Sequence, residues 1–195
     1  MPYFTCYYDT PETEMYYQHE RGKKVRQKVR TRTYEGTDSL SFLEIKNKNN
    51  KGRTHKKRVL MEQGEALPLY TEFIEKHSFY TPTILIPQIE NHFFRITLVD
   101  NDLTERITID TFLEFNNIIT DRKLQLYNLG IIEWKRDGIN GKSILSGILR
   151  KLHIHESSFS KYCIGMAMTS PLLKQGRIKP KIRMVEKINR GICDL

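Results

Sequence analysis

This chain of 195 residues is short of three things: cysteine, long apolar runs and acidic charge. Its three cysteines, Cys6, Cys163 and Cys193, are odd in number and widely spaced. That excludes a disulfide framework and the paired spacing of a zinc site, and it suits a reducing compartment. No apolar run approaches the roughly 18 residues of a membrane-spanning helix. The start Met1-Pro2-Tyr3-Phe4 has no basic segment followed by an apolar one, as a secretory leader would. The expectation is a cytoplasmic protein. Internal repeats, low-complexity stretches and an interdomain linker are also missing, so the sequence predicts one domain over residues 1–195. Acidic residues number 23 against 32 Lys and Arg, a net charge of +9. Such an excess favours polyanionic partners such as nucleic acid, acidic headgroups or phosphorylated small molecules.

What the sequence does contain is a set of strands in which charge alternates with strand-forming residues. From Lys23 to Tyr34 a period of two places Lys24, Arg26, Lys28, Arg30 and Arg32 on one face, with Val25, Gln27, Val29, Thr31 and Thr33 on the other. Crowded like charges need water, counter-ions or a polyanion. Further strands are predicted at Tyr3 to Tyr8, Leu40 to Lys48, Arg53 to Leu60, Thr83 to Ile86, Phe93 to Val99, Glu105 to Asp110 and Leu129 to Lys135, with a turn at Asn101-Asp102. A helical interval from Met61 to Lys76 is divided by Pro68. The clearest helix runs from Ile144 to Leu152 behind a Ser143 cap, with an apolar stripe suited to packing on the outside of the sheet. The basic segment Lys174 to Arg190 reads as a solvated helix or extended arm, within a basic tail over residues 170–195.

For a single alternating strand the ordinary explanation is a solvated outer face. Repetition argues otherwise, because Arg30, Arg32, Glu44, Lys46, Lys56, Arg58, Arg95, Arg106, Glu133 and Lys135 all stand mid-strand. Arginine is favoured where planar, multidentate contact to phosphate oxygens matters. A nucleic-acid binder should interleave aromatics with those cations, and Lys23 to Arg32 has none, so no specific nucleic acid is expected. The predicted fold class is α+β, an antiparallel β-barrel with a polar interior and peripheral helices.

Four segments in order, Val29 to Tyr34, Phe42 to Lys46 with His55-Lys56-Lys57-Arg58, Arg106 to Thr111, and Phe159-Ser160-Lys161-Tyr162, resemble the vacuolar transporter chaperone (VTC) domain. That domain is the polyphosphate polymerase branch of the triphosphate tunnel metalloenzymes, and the resemblance runs from about Tyr3 to Tyr162. It implies a β tunnel in which the γ-phosphoryl group of ATP passes to a polyphosphate chain, with Mn²⁺ or Mg²⁺ as cofactor. It also implies catalytic roles for Arg30, Arg32, Lys46, Arg95, Arg106 and Lys161, and phosphate-binding roles for Lys56, Arg58, Ser160 and Lys135. Glu133 would hold the metal. Glu44 would be a second ligand or the partner that fixes Lys46. Phe93 replaces the family's usual aromatic hydroxyl. The family's first strand would precede Tyr3, so the resemblance implies an N-terminally truncated tunnel. ATP and inorganic polyphosphate are the implied partners, with a membrane protein as a conceivable acceptor of product at the inner face of the membrane. Hydrolysis of triphosphate, or polyphosphate binding without turnover, are the alternatives in the same tunnel.

Overall fold

The computed structural model describes all residues except 37–38, 63, 102–103, 137–142 and 192–195. Asp102 of the expected turn and Cys193 therefore lie outside the described residues. Among the described residues there are eight strands, β1 (Pro2–Asp9), β2 (Arg26–Tyr34), β3 (Leu40–Lys48), β4 (Thr54–Met61), β5 (Ile86–Val99), β6 (Glu105–Asn117), β7 (Lys123–Leu126) and β8 (Ile131–Arg136), and five helices. These are α1 (Glu14–Glu20), α2 (Thr71–His77), α3 (Ile144–Lys151), α4 (Lys161–Thr169) and α5 (Lys179–Asn189).

The strands form one antiparallel sheet in the order β4-β3-β2-β1-β5-β6-β7, with β8 also paired to β6. The class is α+β as expected, but the sheet is not closed: β4 ends one edge, β7 and β8 the other. Alternation dictates which side chains share a face. Closure depends on strand number and stagger, which alternation does not encode.

Several boundaries differ from the sequence reading. β5 is a single strand of 14 residues where a short strand from Thr83 and another from Phe93 were expected. Pro82 instead opens a 3₁₀ turn through Ile84, consistent with its fixed φ and missing N–H. The interval divided by Pro68 resolves into the end of β4, a 3₁₀ turn over Leu67–Tyr70 and then α2. The register of β1:β5 shifts between Tyr7 and Tyr8, and that of β5:β6 shifts between His92 and Phe94, where Phe112 of β6 has a left-handed backbone, as at bulges that bend a strand.

The core lies on both sides of the sheet. On one side Val29, Leu43 and Ile45 are buried together with Ile74 of α2 and Leu67. On the other, α1 and α4 cover one end. Asp9 at the end of β1 is fully buried; its carboxylate accepts from the Met15 and Tyr16 amides of α1 and from the Tyr162 hydroxyl of α4. Gly165 lets α4 approach so closely that a Cβ there would lie 2.5 Å from Phe115 and 2.8 Å from Ile89. α5 is docked rather than solvated, through buried Ile178, Ile182 and Val185. α3 is capped by Ser143, whose hydroxyl also donates to Glu105, yet Ile148 and Leu152 stay exposed.

Candidate functional site

Strand pairing carries the alternating charges onto one face. Arg30 lies opposite Tyr7 of β1 and Glu44 of β3, and Glu44 lies opposite Arg58 of β4. Lys46 is flanked by Lys28 and Lys56. Across β5 and β6, Arg95 is opposite Asp110, and β8 brings Glu133 beside Thr108 and Lys135 beside Arg106. Lys161, from the first turn of α4, joins the same face by an ion pair with Asp110. Every site residue predicted from the sequence is thus on this face or, for Ser160, at its rim.

The centre of the face is dry and its edges are wet. Arg30 and Arg32 are each 7% exposed, Glu44 is 0% and Asp110 is 2%, whereas Lys56, Arg58, Arg106, Glu133 and Lys135 remain exposed. Glu44 gathers the first group. One carboxylate oxygen accepts from Nε and Nη2 of Arg30 at 2.8 and 2.6 Å, the other from Lys56 at 3.1 Å, and Arg32 stands 4.0 Å away. Burial would raise the Glu44 acid, but Arg30 and Arg32 override it and hold it down to about 2. A divalent ion at Glu44 would meet these cations, so the geometry gives Glu44 the task of fixing them.

A second carboxylate, Asp110, receives Nε and Nη2 of Arg95 at 2.5 and 2.7 Å in a fork-to-fork pair and also binds Lys161. Burial pushes the acid up, and the Arg95 bond and the Lys161 charge bring it below its ordinary value. Asp110 is not among the site residues expected from the sequence, although its spacing in Arg106-x-Thr108-x-Asp110 puts it on the same face of the strand as Arg106. Lys28, on the same charged face of β2, donates from its ammonium to the Ser160 hydroxyl at 2.7 Å. Ser160 in turn accepts from the Cys163 amide and caps α4.

The third carboxylate is different. Glu133 pairs with Lys135 at 3.2 Å, and its side chain is 52% exposed. Burial tends to raise this acid, but Lys135, Arg95 and Lys46 lower it. Lys46 belongs to β3 and Glu133 to β8, far apart in strand order, so the sheet must curl for one to feel the other. Lys46 itself is brought down to about 7, chiefly by burial and then by Arg30 and Arg32. Aromatic rings support the cations: Arg32 and Arg95 lie 5.8 and 5.2 Å from the Tyr3 ring, and Lys161 lies 4.0 Å from that of Phe93.

No group of three or more His, Cys, Asp or Glu able to hold a metal occurs among the described residues. Among the described residues, Glu133 pairs with Lys135 and, unlike Glu44 and Asp110, with no arginine. A single carboxylate completed by phosphate oxygens and water fits the way Mg²⁺ and similar hard ions are held beside phosphates. The donor set therefore fits a divalent ion brought with a phosphate ligand, not one caged by protein alone.

A crystal structure of a Bacillus halodurans protein proposed to be an adenylate cyclase has a similar fold. Its TM-score is 0.51 at 13% identity, and the match covers 82% of this chain and 79% of that one. At that identity the likeness speaks for the fold alone. No curated protein is similar to this chain. The sequence matches the VTC domain over residues 2–170, most of its length, so this chain belongs to the VTC domain family.

Proposed function

We propose that this protein is a polyphosphate polymerase, transferring the γ-phosphoryl group of ATP to the end of a polyphosphate chain. The observation that carries the reading is a buried, cation-rich face whose central carboxylates, Glu44 and Asp110, are already spent on holding arginines and lysines in place. The remaining positive charge, in a site shielded from water, calls for a ligand with many closely spaced negative oxygens.

Phosphoryl transfer needs in-line placement and stabilised charge more than covalent help. Arg30 and Arg32, locked by Glu44, would bind phosphate oxygens from β2, with Lys46 beside them. Arg95 and Lys161, locked by Asp110, would do so from the opposite side. Lys56, Arg58, Arg106 and Lys135, exposed towards the edges, would track the incoming and outgoing chain. Ser160 would act by seating α4. Glu133 would hold Mn²⁺ or Mg²⁺, which when bound neutralises phosphate charge and polarises the transferred group. The attacking atom would be an acceptor phosphate oxygen, so no protein nucleophile is required. The tunnel domain would span the chain, with the basic residues 170–195 as its C-terminal part.

The test is to incubate the protein with ATP and Mn²⁺ and resolve products by gel. Long anionic chains are the expected outcome. Free phosphate alone would assign hydrolysis in the same site, and metal-independent polyphosphate binding without turnover would assign a binding module. If chains form, Arg30→Ala or Arg32→Ala should lower kcat/KM by about a hundredfold or more, the loss typical of one preorganised charge-stabilising donor.

A further inference from the structure

Thr108 sits on the inner face of β6 between Arg106 and Asp110, and it is only 3% exposed. Its hydroxyl has no hydrogen-bond partner among the described residues. The strand neighbours at its register are Thr97 on β5 and Glu133 on β8, and neither meets it. Buried hydroxyls are normally paired, so an orphan in a site otherwise built of interlocked ion pairs calls for a ligand. The surroundings say which kind. Asp110 on one side is occupied by Arg95 and Lys161, Glu133 opposite is half-exposed, and the face is cationic.

We propose that Thr108 shares with Glu133 the seat of a divalent ion and its phosphate, the hydroxyl oxygen turning to the ion or the O–H donating to a phosphate oxygen. The inference rests on the metal-dependent reading of the function and adds a residue that reading does not contain. A threonine hydroxyl beside a carboxylate is a suitable hard-oxygen pair for Mg²⁺ or Mn²⁺ carried by a nucleotide.

Mn²⁺ would be titrated into the intact chain with inorganic triphosphate present, reading free Mn²⁺ by its paramagnetic resonance, and melting would be followed without ligand. Thr108→Val is expected to weaken Mn²⁺ binding about tenfold, as loss of one bond to a charged group should. Thr108→Ser is expected to stay within about twofold of the parent, because it retains the hydroxyl. The ligand-free Thr108→Val protein should melt at the same temperature or higher, since it loses an unpaired buried oxygen. Unchanged Mn²⁺ binding in Thr108→Val overturns the inference, as does a markedly lower melting temperature, which would give the hydroxyl a structural partner. A parent protein that takes up no Mn²⁺ overturns the metal-dependent reading and this inference together.

Discussion

Lys46 is held close to neutrality by burial and by Arg30 and Arg32, at about 7 instead of its ordinary value near 10.5. Its folded form releases a proton that the unfolded chain still holds between those pH values, so stability of the empty protein should rise as pH climbs from about 7 towards 10.5. A bound polyanion reverses the balance by favouring the ammonium. Triphosphate binding at pH 8 should therefore take up close to one more proton in the parent than in Lys46→Met, measured by calorimetry in buffers of different ionisation enthalpy. Equal uptake in the two proteins would contradict the assignment. Glu44 poses the complementary case. Removing its charge would leave Arg30 and Arg32 buried without their anion, and Glu44→Gln should cost about 3 kcal/mol or more by chemical denaturation. Both effects depend on burial. The sequence makes Glu44 and Lys46 legible as neighbours on one face, but it cannot say that one is 0% exposed and shared by three cations.

Among the elements, α4 links the packing of the fold to the site. Its sequence Lys161 to Thr169 carries apolar residues all round, and all but Lys161 and Met168 are buried. Such a helix has no amphipathic stripe, which explains why the sequence reading passed over it while finding the exposed, strongly amphipathic α3. The N-terminal end of α4 delivers Lys161 and Ser160 to the cationic face, and its middle rests on β5 and β6 at Gly165. Gly165→Ala would place a methyl inside the contact distance of Phe115 and Ile89. The expected cost is about 1–3 kcal/mol from overpacking. Any turnover should fall with it, because a helix lifted from the sheet withdraws Lys161 from Asp110. Lowered stability with full activity would separate the helix from the site.

Over the whole molecule, a chain of net charge +9 has Arg30, Arg32, Lys46, Arg95 and Lys161 gathered by the sheet and α4 onto one face. Polyphosphate binding should weaken roughly tenfold or more when monovalent salt rises from about 50 to 300 mM, since the exposed edge cations are screened over such distances. Affinity for inorganic triphosphate, held at the drier centre, should fall less; fluorescence anisotropy of labelled chains of different length would compare the two. The alternation within β2, β3 and β8 was sufficient to pair Arg30 with Arg32, Glu44 with Lys46 and Glu133 with Lys135 on one face of each strand, because side-chain direction in a strand follows from a period of two, whereas merging those faces required the strand register. The sequence by itself also determined the antiparallel α+β class and the cationic character of that face. Only the tertiary structure decided that the sheet curls without closing, that Asp110 joins β5, β6 and α4, and that Thr108 is buried without a partner among the described residues. Those facts depend on strand order, stagger and helix docking, which bring together residues distant in the chain and which no local pattern of residues specifies.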